Sequence, residues 1–226
     1  MGIGKELTRR LAPQAHRLAP ELTSSFVHEA LSRAIKGVGP LPPASEGGDR
    51  KLTETGGDVD RAISLVIEQH VRYAGAQGFA TNIGGLLTAA VAVPANITGL
   101  ALIQCRMVAA IAHLRGYDLQ DGRVRNAILA CILGEDDVQK LIKKKQIPAP
   151  PMAIATAPAY DPHLDRLMAA EVASELLTRV AGKRAASMVA RQIPLMGGLI
   201  GAGTDGIATW QIGRYADREL LARNRR

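Results

Sequence analysis

The chain has 226 residues, a net charge of +7, a sequence pI near 9.7 and 47% hydrophobic residues. This length allows one domain or at most two, and the abundance of Ala and Leu beside only 3% aromatic residues favours helices over strands. The positive charge attracts anions such as lipid headgroups, phosphates or nucleic acid, but it does not choose among them.

The sequence shows no sign of redox chemistry or secretion. Cys105 and Cys131 lie in apolar helical patterns without a CxxC or His-rich neighbourhood, which predicts ordinary core positions in a reducing compartment. The N-terminus carries Arg9 and Arg10 but no continuous apolar segment, which argues against a secretory signal. We therefore expect a cytoplasmic protein.

The first part of the chain divides into two compositions. Apolar residues recur every three or four positions from Leu7 to Phe26, which predicts short amphipathic helices that prolines interrupt. The stretch from Gly37 to Gly57 is rich in Gly, Pro and polar side chains, which predicts a flexible linker. The expected segments are N-terminal helices over 1–36, a linker over 37–57, a helical domain over 58–222 and a basic tail over 223–226.

The segment from Gln77 to Cys105 contains 29 residues without a charged side chain. We expect Pro94 to split it into two helices, the second of which Asn96 would cap. The length would allow a transmembrane span, but the proline and several glycines favour a buried or interfacial hairpin.

A second uncharged segment, from Gln192 to Thr204, has a similar order of residues. Its Gly-Gly-Leu at 197–199 matches the Gly-Gly-Leu at 84–86 of the first segment, and it is followed by Asp205, which is expected to cap the final helix. In a pair of Gly-rich apolar hairpins, Arg106 or Arg214 could pair with Asp205 and Asn96 could bond across. An internal pair of this kind more often serves fold specificity than ligand binding.

Acidic residues mark further helix starts between these segments. Asp58, Asp121 and Asp161 are predicted N-caps, and Gly134 is a predicted helix stop. Together the patterns predict an all-α single domain of about eight to ten helices.

Polar residues near the apolar runs are the candidates for a site. The turn from His113 to Asp121 either lines the mouth of a pocket or ends one helix and caps the next, and the second interpretation explains nearly every residue. The candidate ligand-binding residues are Asn96, Gln104, Arg106, His113, Arg115, Tyr117 and Arg214. The candidate catalytic residues are Asp118, Asp121 and Asp205.

Glu135, Asp136 and Asp137 form an acidic cluster of the kind that holds Mg²⁺ in diphosphate chemistry. The same cluster is also stable without metal at a helix N-terminus, and the scarcity of aromatic residues disfavours a terpene-cyclising pocket. Common enzyme motifs and nucleic-acid-reading elements are absent. No cofactor is therefore predicted, and Mg²⁺ enters only with a diphosphate enzyme.

A set of motifs occurs in a fixed order from Asp58 to Leu221. It consists of Gly78-Phe79, the Gly-Gly helix, Pro94 before a capping residue, Gln104 with Arg106, the segment Ile111 to Asp118, and a late Ile-Pro-Leu-Met-Gly-Gly followed by Thr-Asp-Gly and Ile-Gly-Arg-Tyr-Ala. This set resembles the EcsC protein family. The resemblance implies an all-α fold, bacterial origin and an association with membranes and with an exporter-linked operon. It supplies no catalytic residues, and Asn96 stands where an acidic residue is expected in relatives.

Three hypotheses follow from these observations. The first is a helical protein peripheral to the inner face of the cell membrane, which binds a lipid or another amphipathic ligand and whose basic surface engages anionic headgroups. The alternative is a Mg²⁺-dependent enzyme that acts on an isoprenoid diphosphate, in the manner of a terpene cyclase, or on another lipidic substrate. The third is a scaffold without a ligand. The sequence leaves the oligomeric state open.

Overall fold

Helices account for most of the chain, as the composition predicts. The computed structural model describes the backbone of residues 24–38, 41–84, 89–190 and 196–223, and the described side chains exclude those of 24, 77–98, 177 and 179–202. Within these ranges the helices are α1 (Ser24–Lys36), α2 (Ala44–Glu54), α3 (Val59–Gly84), α4 (Ala89–Leu114), α5 (Gly122–Leu133), α6 (Glu135–Lys143), α7 (Pro151–Ala155), α8 (Pro162–Ala190) and α9 (Met196–Glu219). The predicted all-α single domain is confirmed.

The predicted helix caps are present in the structure. The Asp58 carboxylate accepts a hydrogen bond at 3.0 Å from the amide three residues later, at the start of α3. Asp121 and Asp161 each accept one at 2.8 Å from the amide two residues later, before α5 and α8. Gly134 ends α5 with a φ of 88°, which a residue with a side chain rarely adopts.

The predicted flexible linker over 37–57 is wrong for most of its length, because α2 occupies Ala44–Glu54. Ala44 and Gly48 are buried, and a Cβ on Gly48 would lie 3.3 Å from Leu114 Cγ of α4. The missing side chain therefore lets the two helices approach closely. Composition alone misleads here because tertiary packing, rather than propensity, supplies most helical stability.

The predicted break at Pro94 is also wrong. One helix, α4, runs from Ala89 to Leu114 through this residue. A proline inside a helix removes one backbone donor, while the hydrogen bonds on either side can remain. Asn96 accordingly lies within α4 and not at its N-cap, and its side chain is outside the described set.

Asp205 does not cap the final helix either. α9 begins at Met196, so Asp205 lies within it, and its side chain is only 3% exposed. Thr209, one helical turn later, is also buried and accepts a hydrogen bond from Gln104. Asp205 can stay inside the helix because polar groups gather on this inner face of α9.

Glycines set the packing of α9 against α3. A Cβ on Gly206 would lie 3.7 Å from Val71 Cγ1, and a Cβ on Gly213 would lie 2.9 Å from Ile67 Cγ1. Later residues of α9 thus contact earlier residues of α3. The two helices are therefore antiparallel.

The packing of α9 against α4 has the opposite sense. Gln104 contacts Thr209, and Met107 lies beside Gly213, so the two helices are parallel. The C-terminal end of α3 and the N-terminal ends of α4 and α9 therefore lie at the same end of the bundle. The described backbone of both uncharged segments, 77–84 and 89–105 in the first and 196–204 in the second, belongs to this end of the bundle, which we call the uncharged end.

Candidate functional site

A cavity of about 250 Å³ lies where α2 meets α3 and α4. We call it the Arg106 cavity. Its polar lining consists of Arg50, Lys51 and Glu54 from α2, Gln69, His70 and Tyr73 from α3, and Arg106 from α4. Lys51 Nζ lies 2.8 Å from a Glu54 carboxylate oxygen, so these two charges offset each other. Arg50 and Arg106 therefore give the cavity its positive charge.

Arg106 is held by the chain segment that precedes α2. Its guanidinium donates to the carbonyl oxygen of Pro42 and, at 3.5 Å, to that of Pro43. A Cβ on Gly47 would lie 3.2 Å from Arg106 Nη2, so glycine leaves room for the guanidinium. Burial, and then the charge of the nearby Arg50, lower the pKa of Arg106.

His70 is the most buried titratable group of the cavity, with 5% of its surface exposed. Its Nδ1 lies 2.7 Å from the Val66 carbonyl oxygen, which can only accept, so Nδ1 carries the proton. Burial lowers the pKa of His70 to about 4, against the opposing effect of this hydrogen bond and with a further lowering by Arg106. Nε2 is then a lone-pair acceptor, and it has no hydrogen-bond partner among the described residues.

A second polar group lies in the core, beside the uncharged end. Gln104 is fully buried, and its Nε2 donates to Thr209 Oγ1 at 3.3 Å, with Asp205 one turn away on α9. Gln104 Oε1 has no partner within the described part of the chain. Of the residues that the sequence singles out, Gln104 therefore contacts α9 one helical turn from Asp205.

The arginines expected to pair with Asp205 contact other groups. Arg106 donates to the two proline carbonyls, and Arg214 Nη1 lies 3.3 Å from a carboxylate oxygen of Asp217. Arg214 is exposed on the surface of α9. It lies on the opposite side of its helix from the buried Asp205, because the two residues are nine positions apart.

Two residues at the end of α4 connect helices. His113 Nε2 lies 2.8 Å from Asp49 Oδ1 of α2. The Arg115 guanidinium lies 2.8 Å from Asp60 of α3 and 2.7 Å from Asp217 of α9. Both side chains thus contribute to helix packing.

The other polar residues of this turn also have structural contacts. Tyr117 donates to the Leu221 carbonyl at 3.0 Å, and burial raises its pKa. Asp118 accepts from a nearby amide at 2.9 Å, and Asp121 both caps α5 and pairs with Arg123, whose hydrogen bonds lower the pKa of Asp121. An open cavity of about 380 Å³ adjoins His113, Tyr117 and Asp118. These contacts favour the interpretation of the turn as a helix end followed by a cap.

Two acids of the cluster at the start of α6 pair with basic residues. Glu135 lies 2.5 Å from Arg218, and Asp137 lies 2.7 Å from Lys140. In the described ranges no group of three His, Cys, Asp or Glu side chains could hold a metal ion. The three acids instead occupy the first turn of α6, where the helix dipole favours negative charge.

Sequence reasoning missed Arg50, His70 and Tyr73. His70 gave a usable signal, since it follows Ile63 and Ile67 on the buried stripe of α3 and is therefore a polar residue at a core position. Arg50 gave none, because its segment looked like a linker.

The outer surface of α9 exposes two large apolar side chains. Ile207 is 61% exposed and Trp210 is 52% exposed. The spacing of these residues and Arg214 places them on one side of the helix, which we call the α9 outer face. Trp210 is the single tryptophan of the chain.

Comparisons with known proteins place the chain in a family. No helix in the described part of the chain is long and apolar enough to cross a membrane. Neither the curated proteins nor the solved structures give a match. The family model of the EcsC protein family matches residues 5–224, so the matched region begins before the predicted domain start at 58 and includes α1 and α2. The chain therefore belongs to the EcsC protein family.

Proposed function

We propose that the protein associates peripherally with anionic membrane surfaces through the uncharged end of its helical bundle, and that it binds an amphipathic, lipid-like ligand there. The observation that carries the proposal is the direction of three helices. α3, α4 and α9 bring the described backbone of both uncharged segments to one end, although these segments are far apart in the sequence. Two uncharged, Gly-rich segments in a protein of net charge +7 would combine apolar contact with attraction to acidic headgroups.

The α9 outer face supports the same orientation. Trp210 lies between Thr209 and Gly213, and these two contact Gln104 and Met107 of α4. It therefore lies level with Arg106, the first charged residue after the uncharged run. Tryptophan and arginine at the edge of an apolar region are typical of the membrane–water interface.

The enzyme alternative has less support. It requires carboxylates that gather around Mg²⁺, and four of the five acids singled out for this role have other contacts. Asp118 accepts from a turn amide, Asp121 caps α5 and pairs with Arg123, and Glu135 and Asp137 each pair with a basic residue. The proposal is therefore for a binding protein at the inner face of the cell membrane, without a catalytic role.

Trp210 fluorescence tests the proposal. Vesicles of phosphatidylcholine with phosphatidylglycerol should shift its emission to the blue at low salt, vesicles of phosphatidylcholine alone should do so less, and added salt should weaken the effect. Brominated lipid should quench the emission.

A matched pair of variants locates the contact. Ile207→Ser and Leu221→Ser each remove an exposed aliphatic side chain, but Leu221 lies at the opposite end of the bundle beside Tyr117. Ile207→Ser should weaken vesicle binding and Leu221→Ser should not. Equal effects of the two variants, or unchanged Trp210 emission with every vesicle, would refute the proposed orientation.

A further inference from the structure

We propose that the Arg106 cavity binds a phosphate ester that carries a free hydroxyl group, with Arg106 and Arg50 as contacts to the phosphate and His70 Nε2 as the acceptor for the hydroxyl. The phosphate ester is either a soluble molecule, such as a polyol phosphate, or the headgroup of a lipid. In its lipid form the proposal rests on the proposed function and names the ligand class.

The charge of the cavity favours an anion. The nearest carboxylate to Arg50 is that of Glu46, at 3.9 Å, which is long for an ion pair. Both side chains are also well exposed, so this pair is weak. Arg106 donates to neutral carbonyl oxygens and forms no ion pair with a carboxylate among the described residues. Two guanidinium groups with so little compensation repel each other, and an anion between them would relieve this repulsion.

The buried histidine favours a donor on the same ligand. Because Nδ1 is committed to the Val66 carbonyl, Nε2 offers only a lone pair. A buried acceptor without a partner costs free energy, which a ligand hydroxyl would recover. Inorganic sulfate or a simple dicarboxylate would supply the charge without this donor.

Size and position also agree with this ligand class. A volume of about 250 Å³ suits a headgroup-sized molecule and is below the usual range for larger cofactors. Tyr73 and Arg106, which line the cavity, lie within one or two helical turns of the uncharged run that starts at Gln77 and ends at Cys105. A headgroup could therefore enter the cavity while its chains stay at the uncharged end.

The test compares two soluble esters by titration calorimetry. sn-Glycerol 3-phosphate offers phosphate and hydroxyls, whereas methyl phosphate offers phosphate alone. The wild-type protein should bind the first more tightly, and His70→Leu should abolish the difference between the two.

Charge variants identify the cavity as the site. Arg50→Gln should weaken binding about tenfold, since it removes a charge-assisted hydrogen bond. Arg33→Gln is the matched control, because Arg33 forms a comparable exposed pair on α1 and does not line the cavity. Arg106→Lys keeps the positive charge and tests the contact of the Arg106 guanidinium with the phosphate. If Arg106→Lys folds poorly, Arg50→Gln still tests the cavity.

A lipid arm uses vesicles of phosphatidylcholine with phosphatidylglycerol. The lipid form is supported if the protein binds these vesicles but not the soluble ester, and if Arg50→Gln weakens vesicle binding while Arg33→Gln does not. Binding of the soluble ester with the predicted variant effects supports the cavity even if no vesicle binds, in which case the proposed function alone fails. Vesicle binding that depends on Ile207 but not on Arg50, with no binding of the soluble ester, would overturn the cavity proposal alone.

Discussion

The position of α9 depends on glycines, and alanine substitutions along this one helix test the packing. At Gly213 an added Cβ would lie 2.9 Å from Ile67 Cγ1 and 3.1 Å from Met107 Sδ. At Gly203 it would meet no described atom within 4 Å, and at Gly206 it would make an ordinary contact of 3.7 Å with Val71. The same substitution therefore meets three different environments.

Two opposing effects determine the outcome. Replacing glycine by alanine within a helix stabilises by about 1 kcal/mol, whereas overpacking a core costs about 1 to 3 kcal/mol. Gly203→Ala and Gly206→Ala should therefore stabilise the protein by up to about 1 kcal/mol. Gly213→Ala should be neutral or destabilising by up to about 2 kcal/mol, because Ile67 and Met107 must shift.

Urea and thermal unfolding measure this difference. For a chain of this length about 1 kcal/mol corresponds to roughly 2 to 4 °C, so Gly213→Ala should unfold several degrees below Gly203→Ala. The two variants have identical chemistry on one helix, which cancels the propensity term. If Gly213→Ala is at least as stable as Gly203→Ala, the close approach of α9 to α3 and α4 is wrong.

Two further predictions concern His70 and Asp121. The pKa of His70 is about 4 in the folded state against 6.5 for an ordinary histidine, so below pH 6.5 the unfolded state binds a proton that the folded state does not. The free energy of unfolding is therefore unaffected by His70 above pH 6.5 and should fall by about 3 kcal/mol as the pH drops to 4. Unfolding of His70→Gln should lack this part of the pH dependence. If the variant and the wild-type protein show the same dependence of stability on pH, His70 has an ordinary pKa. Asp121→Ala should cost about 1 to 2 kcal/mol in urea unfolding, since α5 loses its cap and Arg123 its partner. The exposed Asp136→Ala should change stability by less than about 0.5 kcal/mol, and equal losses in both variants would contradict the capping role.

The helix boundaries that depend on local chemistry could be predicted from the sequence. Asp58, Asp121 and Asp161 each bond to an amide within three residues, so their role needs no knowledge of the rest of the fold. The errors occurred where distant residues decide. α2 packs its Gly48 closely on α4, and α9 continues through the buried Asp205, one turn before the Thr209 that bonds to Gln104 of α4.

The candidate site shows the same division. Arg106 stands out in the sequence as a possible partner of Asp205 and as part of the motif that pairs Gln104 with Arg106. Its companions come from α2 and α3, and no local pattern links Arg50 or Tyr73 to it. A cavity is a property of three helices together, so the sequence could supply one lining residue but not the set.

The mispredicted helix α2 connects the structural and functional interpretations of the polar residues on α4. α2 is attached to α4 at several points: Arg106 bonds to the segment before it, His113 to Asp49, and Gly48 packs on Leu114. These contacts hold Arg50 of α2 at the Arg106 cavity. His113 therefore need not touch a ligand to affect binding, because loss of its contact with α2 would let Arg50, one of the two arginines of the cavity, move away. The structural contacts of His113 thus help to form the neighbouring Arg106 cavity. A structural role for this residue and ligand binding in that cavity are therefore compatible.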